Sequence, residues 1–266
     1  MHIKKKINFA HGQSKMKNEG DIILARDNFF KKNNKNLFHL LKNRFEWMND
    51  FINENDIILE LGSGTCISKK FITNNNHKTS DLTDFDFLDY KNINAMDTGF
   101  NDEKFSKIIS SNMIHHIPYP LKHLKEILRI LKPGGFYIIQ EVNCSIFCQI
   151  IIILMRHEGF DFTFNPLNEN SPSSEINDLW ASNNAVPNLI FDNFNEVNKK
   201  LNYKFEIIHN SYGECLTFIN SGGVISKTFY LPMNDFFNRI LKKIDNILVK
   251  FPKIFALQRS IVLKKL

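Results

Sequence analysis

Between Asp56 and Ile67 the chain reads Asp-Ile-Ile-Leu-Glu-Leu-Gly-Ser-Gly-Thr-Cys-Ile, and no other stretch limits the possible folds as much. Ile57, Ile58, Leu59 and Leu61 form a short apolar run, broken only by Glu60 and stopped at Gly62, which is the pattern of a buried parallel strand. Gly62-Ser63-Gly64-Thr65 then predicts a tight turn with little side-chain bulk, and Ser68 to Ile72 reads as the helix that follows. A strand, a glycine turn and a helix predict an α/β protein with an open, doubly wound sheet. There, backbone N–H groups and a helix N-terminus face a ligand at the carboxyl edge of the strand.

A glycine pair alone also suits a purely structural turn, so the reading needs further residues. His77-Lys78-Thr79-Ser80-Asp81 reads as a second strand ending in a carboxylate that can accept both ribose hydroxyl protons. Ile93-Asn94-Ala95-Met96-Asp97 reads as a third, with Asp97 placed to accept a hydrogen bond from an exocyclic amine. Together these residues describe an adenosine site.

The stretch from about Asp56 to Glu141 resembles the class I S-adenosylmethionine-dependent methyltransferases. The matching elements, in order, are Glu60-Leu61-Gly62-Ser63-Gly64-Thr65, Asp81, Ala95-Met96-Asp97, Ile109 to Pro118 with its Ile114-His115-His116-Ile117, and Leu131-Lys132-Pro133-Gly134-Gly135-Phe136. Weaker similarity at Arg156 to Asp161 and at Ser221-Gly222-Gly223 points to methyltransferases associated with bacterial surface-polysaccharide synthesis. The resemblance implies a Rossmann-like sheet of seven mostly parallel strands with the last antiparallel, and S-adenosyl-L-methionine as cofactor. It implies that Glu60, Gly62, Ser63, Gly64, Asp81 and Asn112 hold the methionine and ribose portions and that Asp97 holds the adenine. One position departs from the family: Cys66 stands where a third glycine is usual, and in a left-handed conformation it would carry roughly 1–2 kcal/mol of strain.

With 266 residues, 43% of them hydrophobic, the chain can bury one large core. Its net charge of +6 would suit an acidic partner, but the visible bias to Lys, Asn and Ile accounts for it without one. The four cysteines make no disulfide framework and predict a reduced, cytoplasmic setting. Cys144 and Cys148 would share a helix face without the partners of a zinc site, so no metal is assigned. Residues 1–6 carry charge but no apolar segment follows, which predicts a frayed end rather than a secretory signal.

Residues 1–35 read as polar and irregular, followed by a methyltransferase domain over 36–266. Leu37, Leu40, Leu41, Phe45, Met48 and Ile52 fall at helical spacing ahead of the first strand. Phe105 to Ser111 predicts a fourth strand, Pro120 to Leu131 a helix, and Phe136 to Val142 a fifth strand that carries Glu141 to the same edge as Asn112. Pro133-Gly134 suits the centre of a type II turn. From about 143 to 202 the chain leaves the common core. Cys144 to Met155 predicts an apolar helix well short of the roughly 20 residues that a membrane span needs, and the rest reads as an insertion placed to bind the acceptor or act as a lid. Tyr203 to His209 and Leu257 to Lys264 predict the last two strands, and Asn234 to Phe251 a strongly amphipathic helix. Such a helix usually packs on its own sheet; the other reading is peripheral contact with an anionic membrane.

Methyl transfer from a sulfonium asks the protein to align acceptor, methyl and sulfur and to exclude water. A hydroxyl acceptor also needs a base, and His115 and His116 at the predicted lip are the candidates, with Glu141 and His157-Glu158 as alternatives. Asn112 is not followed by Pro-Pro-aromatic and no Pro-Cys pair is present, which turns the reading away from nucleic acid and toward oxygen methylation of a small molecule or saccharide. Two other functions fit part of the pattern: an NAD-dependent oxidoreductase, because Asp81 suits either cofactor, and a non-catalytic adenosine-binding or scaffold protein, for which Cys66 speaks.

Overall fold

The computed structural model describes residues 6–9, 13–17 and 20–266. Of the frayed end expected over residues 1–6, residues 1–5 lie outside the described residues and Lys6 is in a short strand instead. Ile58–Leu61 (β2) is buried along its whole length and runs parallel to His77–Ser80 (β3) on one side and Phe105–Ser111 (β4) on the other. β4 pairs in parallel with Leu131–Val142 (β5), and β5 meets the antiparallel Gln258–Lys265 (β8), which in turn pairs with Phe205–Gly213 (β7). The sheet order is therefore β3-β2-β4-β5-β8-β7, with the last strand in sequence antiparallel, as expected. A separate two-stranded ladder joins Lys6–Ile7 (β1) to Phe160–Asp161 (β6).

Both sheet faces are covered, as the near-continuous apolar strands require. Leu59 and Leu61 of β2 pack in one cluster with Leu121, Leu124 and Ile127 of α3 (Pro120–Ile130). Ile58 turns to the opposite face, against Leu37, Leu40, Leu41 and Phe45 of α2 (Lys35–Phe45). Gly134, within β5, has φ +72°, the left-handed conformation expected at the second centre of a Pro-Gly type II turn. The apolar helix expected after β5 is α4 (Ile146–Met155), begun by Ser145, whose hydroxyl accepts from Cys148 N–H. Two short helices, α5 (Val186–Phe191) and α6 (Phe194–Lys200), lead from there back to the sheet at β7.

Four expectations need correction. Among the described residues the sheet has six strands, not seven, because residues Ile93 to Asp97 form only an isolated bridge between Asn94 and Asp97. Side chains of α3 hold this segment instead: His123 Nδ1 donates to the Ala95 carbonyl at 2.7 Å, and Glu126 accepts from Thr98 N–H at 2.7 Å. The helix expected after the glycine turn is a single 3-10 turn, Ile67–Lys70. Residues 1–35 are not all irregular, since Ile22–Lys31 forms α1, capped by Asp21, which accepts from Leu24 N–H. Finally, the amphipathic helix α8 (Asp235–Leu248) exposes Phe236, Phe237, Ile240, Ile244 and Ile247 and buries Asn238 and Asp245. It packs by its polar side because Asp245 accepts the N–H groups of Cys215, Leu216 and Thr217 at the start of α7 (Leu216–Ile219). No helix among the described residues is long and apolar enough to cross a membrane.

Candidate active site

Beyond β2 the backbone turns left-handed at Gly62 (φ +66°), Gly64 (+47°) and Cys66 (+53°). Ser63 ties the turn to the neighbouring strand, its N–H donating to the Ser80 carbonyl at 2.9 Å and its hydroxyl accepting from Ser80 N–H at 3.1 Å. Asp81, the first residue past β3, accepts the Gly64 N–H at 2.9 Å through Oδ2 and the Thr83 N–H at 3.1 Å through Oδ1. The glycine turn and the second-strand carboxylate are thus in direct contact. Glu60 faces inward, where its Oε2 accepts from Ser68 Oγ at 2.5 Å and pairs with His77 Nε2 at 2.8 Å, so it braces the turn from beneath. Asp97 is exposed, in a turn closed by its own N–H to the Asn94 carbonyl.

α1 lies over this turn. The Ile22 side chain is 3.6 Å from where a Cβ on Gly64 would stand, and Arg26 donates to the Thr65 carbonyl at 2.6 Å while its guanidinium sits 4.4 Å above the Phe87 ring. A cavity of about 480 Å³ opens between α1 and residues 84–87, lined by Arg26, Phe85 and Phe87 among others. At Gly62 a Cβ would come 2.4 Å from Met113 Cγ, so this glycine makes room for the chain leaving β4.

The second half of the site stands at the ends of β4 and β5. Asn112 is left-handed (φ +51°), and its N–H donates to the Gln140 carbonyl at 2.8 Å. Glu141, with no exposed surface, accepts the Met113 N–H at 2.6 Å and the His115 Nδ1–H at 2.7 Å, which turns His115 Nε2 away from it. His116 donates from Nδ1 to the Ala181 carbonyl at 3.2 Å, and this likewise leaves its Nε2 facing outward. Both Nε2 atoms look toward Glu158, at 4.0 Å from His115 and 3.9 Å from His116. Glu158 itself is left-handed (φ +59°) and is held by Asn184 Nδ2 at 2.7 Å, with His157 Nε2 3.1 Å from its other oxygen.

The charges follow from this packing. Burial, then the neighbouring His115, pushes His116 down to about 4, so its imidazole is neutral near pH 7. Burial would lower His115 too, but the Glu141 carboxylate outweighs it and raises the group. Burial would raise Glu158, yet His157 and then His115 and His116 hold it well below the usual carboxylate range. Burial also pushes the Cys66 thiol up to about 11, so the cysteine in the turn is an unionised packing group.

The structure therefore gathers the predicted residues into two groups: Gly62, Ser63, Gly64 and Asp81 at one strand edge, and Asn112, His115, His116 and Glu141 at the next. Residues 60–139, which include all of these but Glu141, match the family model of a methyltransferase domain. Over these 80 of its 266 residues the chain resembles a methyltransferase domain. Its fold is that of a SAM-dependent methyltransferase from Archaeoglobus fulgidus, at TM-score 0.52 and 13% identity over 91% of this chain and 99% of that one. A SAM-dependent methyltransferase from Methanosarcina mazei superposes at TM-score 0.45, with 15% identity over 83% of this chain and 97% of the other. Among curated proteins, the polyketide synthase-nonribosomal peptide synthetase TwmB of Talaromyces wortmannii is 33% identical over 70 residues. That match covers 26% of this chain and 2% of TwmB.

S-adenosylmethionine is the cofactor that this resemblance implies, and Asp81 is the residue placed to meet its adenosine end. Asp81 is half-buried at the carboxyl ends of adjacent parallel strands, bonded to the Gly64 N–H, and Leu82 beside it leaves 48% of its surface exposed. Two residues of the arrangement were not singled out from the sequence. Asn184 holds Glu158, and His123 takes the place of a strand ladder at Ala95; neither has a local signal, because each works across a long stretch of chain.

Proposed function

We propose that this protein transfers a methyl group from S-adenosylmethionine to an oxygen of a small molecule or saccharide. The observation that carries the reading is the 2.9 Å contact between Gly64 N–H and Asp81, one strand away from the His115–His116 lip. When bound, the cofactor supplies a methyl group already activated on a sulfonium. Asp81 takes the ribose hydroxyls, the turn from Gly62 to Cys66 offers main chain without side-chain bulk at Gly64, and the exposed Asp97 is the acceptor available to the adenine amine. Asn112 lies at the β4 edge where the methionine end would approach.

What remains for this chain is to hold the acceptor in line and dry. The insertion keeps the site dry. Ala181 and Asn183 bond the backbone or ring of the histidine pair, and Ser173 N–H donates to the Pro118 carbonyl at 2.8 Å. The segment over 156–184 is therefore the acceptor-side wall, and the cluster of His115, His116 and Glu158 is where the acceptor oxygen is activated.

A thermal-shift series tests the reading. S-adenosylhomocysteine at a hundredfold excess over its Kd should add about 2.7 kcal/mol of apparent stability, and NAD should add none. Asp81→Ala should lose about 1.5–3 kcal/mol of that binding, the worth of hydrogen bonds to a charged group, without unfolding the chain. Stabilisation by NAD in place of S-adenosylhomocysteine would reject methyl transfer.

A further inference from the structure

We propose that His115, His116 and Glu158 form a binding site for one divalent transition-metal ion of the zinc type. The site's position is read from geometry alone; its role, holding the acceptor oxygen, rests on the methyl-transfer reading. Three donor atoms, one from each residue, lie within 4.8 Å of one another. Two ligands about 2.1 Å from a tetrahedral ion stand about 3.4 Å apart, so the 4.0 and 3.9 Å gaps close by side-chain rotation. Two imidazoles and one carboxylate are a ligand set that catalytic zinc uses while keeping a fourth position open.

The stronger sign is the layer behind the ligands. Each donor is aimed by a separate partner: Glu141 takes the His115 Nδ1–H at 2.7 Å, the Ala181 carbonyl takes the His116 Nδ1–H, and Asn184 holds Glu158. Carboxylate, carbonyl and amide supports of this kind fix the tautomer and the direction of metal-binding groups. Glu158 reaches the pair only by keeping a left-handed backbone that a non-glycine residue adopts at a cost, as does Arg156 two residues earlier. The His116 and Glu158 side chains keep 21% and 16% of their surface open, which leaves a side for entry. An acceptor hydroxyl in the fourth position would lose its proton to solvent more readily, because the ion lowers the pKa of a bound oxygen.

Untagged protein stripped with EDTA and titrated with Zn²⁺ or Mn²⁺ alone tests this, with Co²⁺ as the spectroscopic probe. The expected result is one ion per chain, a visible cobalt band, and at least tenfold weaker binding in His116→Ala and Glu158→Gln, each checked for folding by circular dichroism. Glu141→Gln, which removes the carboxylate behind His115 and keeps a side-chain oxygen for the Met113 and Ile114 N–H groups, should weaken the ion by about 10–100-fold. No binding to the wild-type chain, or equal binding to a His116→Ala/Glu158→Gln double variant, overturns the proposal. A parallel S-adenosylhomocysteine shift separates the readings: a shift without metal binding removes the ion alone, and metal binding without a shift removes methyl transfer alone.

A second, independent inference comes from α8. We infer that its outer face lies on an anionic lipid surface. Phe236, Ile240, Ile244 and Ile247 repeat at helical spacing and are 58%, 39%, 40% and 61% exposed, while Asn238, through Asn36, and Asp245 anchor the opposite side. On a helical wheel Arg239 and Lys243 run beside this stripe, so an apolar face bordered by cations points outward, the pattern of a helix that lies in a membrane interface. Vesicles of phosphatidylcholine with and without phosphatidylglycerol test it by co-sedimentation. Binding to the anionic vesicles that falls with added salt and is lost in Phe236→Asp/Ile240→Asp supports the inference. No binding, unchanged binding of that variant, or a wild-type dimer that the variant converts to monomer overturns it.

Discussion

The two acids that close the first strand pair and the central pair, Asp81 and Glu141, have opposite surroundings. Asp81 is partly exposed and takes its bonds from the backbone of the glycine turn and from Thr83, groups that a ribose could replace or join. Glu141 has no exposed surface and is surrounded by donors from its own chain: Met113 N–H, Ile114 N–H and His115. One arm of the sheet keeps its carboxylate available for a ligand, and the other uses its carboxylate to build the wall. Residues at the same kind of sheet edge therefore do different work, and burial decides which.

Glu141→Ala should break this contrast most sharply. It strands two buried N–H groups and the His115 ring, and removing one partner of a buried pair costs about 3–5 kcal/mol. Urea unfolding should show that loss, whereas Asp81→Ala should change stability by less than about 1 kcal/mol. Equal losses would mean that Asp81 is structural too.

The arms also differ in what joins them. Between β3 and β4, residues 81–104 hold no helix, and Glu126 of α3 ties this stretch by accepting from Thr98 N–H and from Arg129, which in turn donates to the Phe100 carbonyl. Burial would raise Glu126, but Arg129 and then Thr98 hold it at about 2 against an ordinary 4.5. A depressed carboxylate contributes stability above its unfolded value, and that contribution fades as pH falls from about 4.5 toward about 2. The Arg129 side chain keeps 34% of its surface open, so solvent screens the pair. That leaves a contribution of roughly 1–2 kcal/mol. The stability gap between the wild-type chain and Glu126→Gln should shrink over that acid range, and a gap that does not change with pH would remove the tie.

Much of the site was readable because it is local. A strand that stops at glycine, an acid after the next strand and a histidine pair after the fourth each carry their own pattern, and the structure brings Gly64 to Asp81 and His115 to Glu141. The missed helix α1 had a local signal in its Asp21 cap, but the other main misreadings are non-local. Ile93 to Asp97 has the apolar alternation of a strand, but its bonding partners are His123 and Glu126 on a helix. The amphipathic pattern of α8 was legible, but its direction was not, since Asp245 caps a helix elsewhere in the chain. Glu158 could be named as a candidate, yet its approach to the histidines depends on Asn184 and on a left-handed backbone that no local pattern announces.

Cys66 gives the smallest effect and the finest test of the ligand-facing arm. It ends the glycine turn at φ +53°, where a side chain costs roughly 1–2 kcal/mol that glycine would not. Replacing it with glycine also loosens the unfolded chain, which costs about 0.5–1 kcal/mol, and removes a buried thiol, so the net gain in stability is small. The comparison with Cys66→Ala isolates the backbone, since both variants lose the sulfur and only alanine keeps the strain. At an ordinary helical position alanine is the better residue by about 0.5–1 kcal/mol. Here the order should invert, with Cys66→Gly the more stable by about 1 kcal/mol in matched urea titrations. Alanine coming out ahead would mean that the turn relaxes out of the left-handed region, and with it the placement of Gly64 against Asp81.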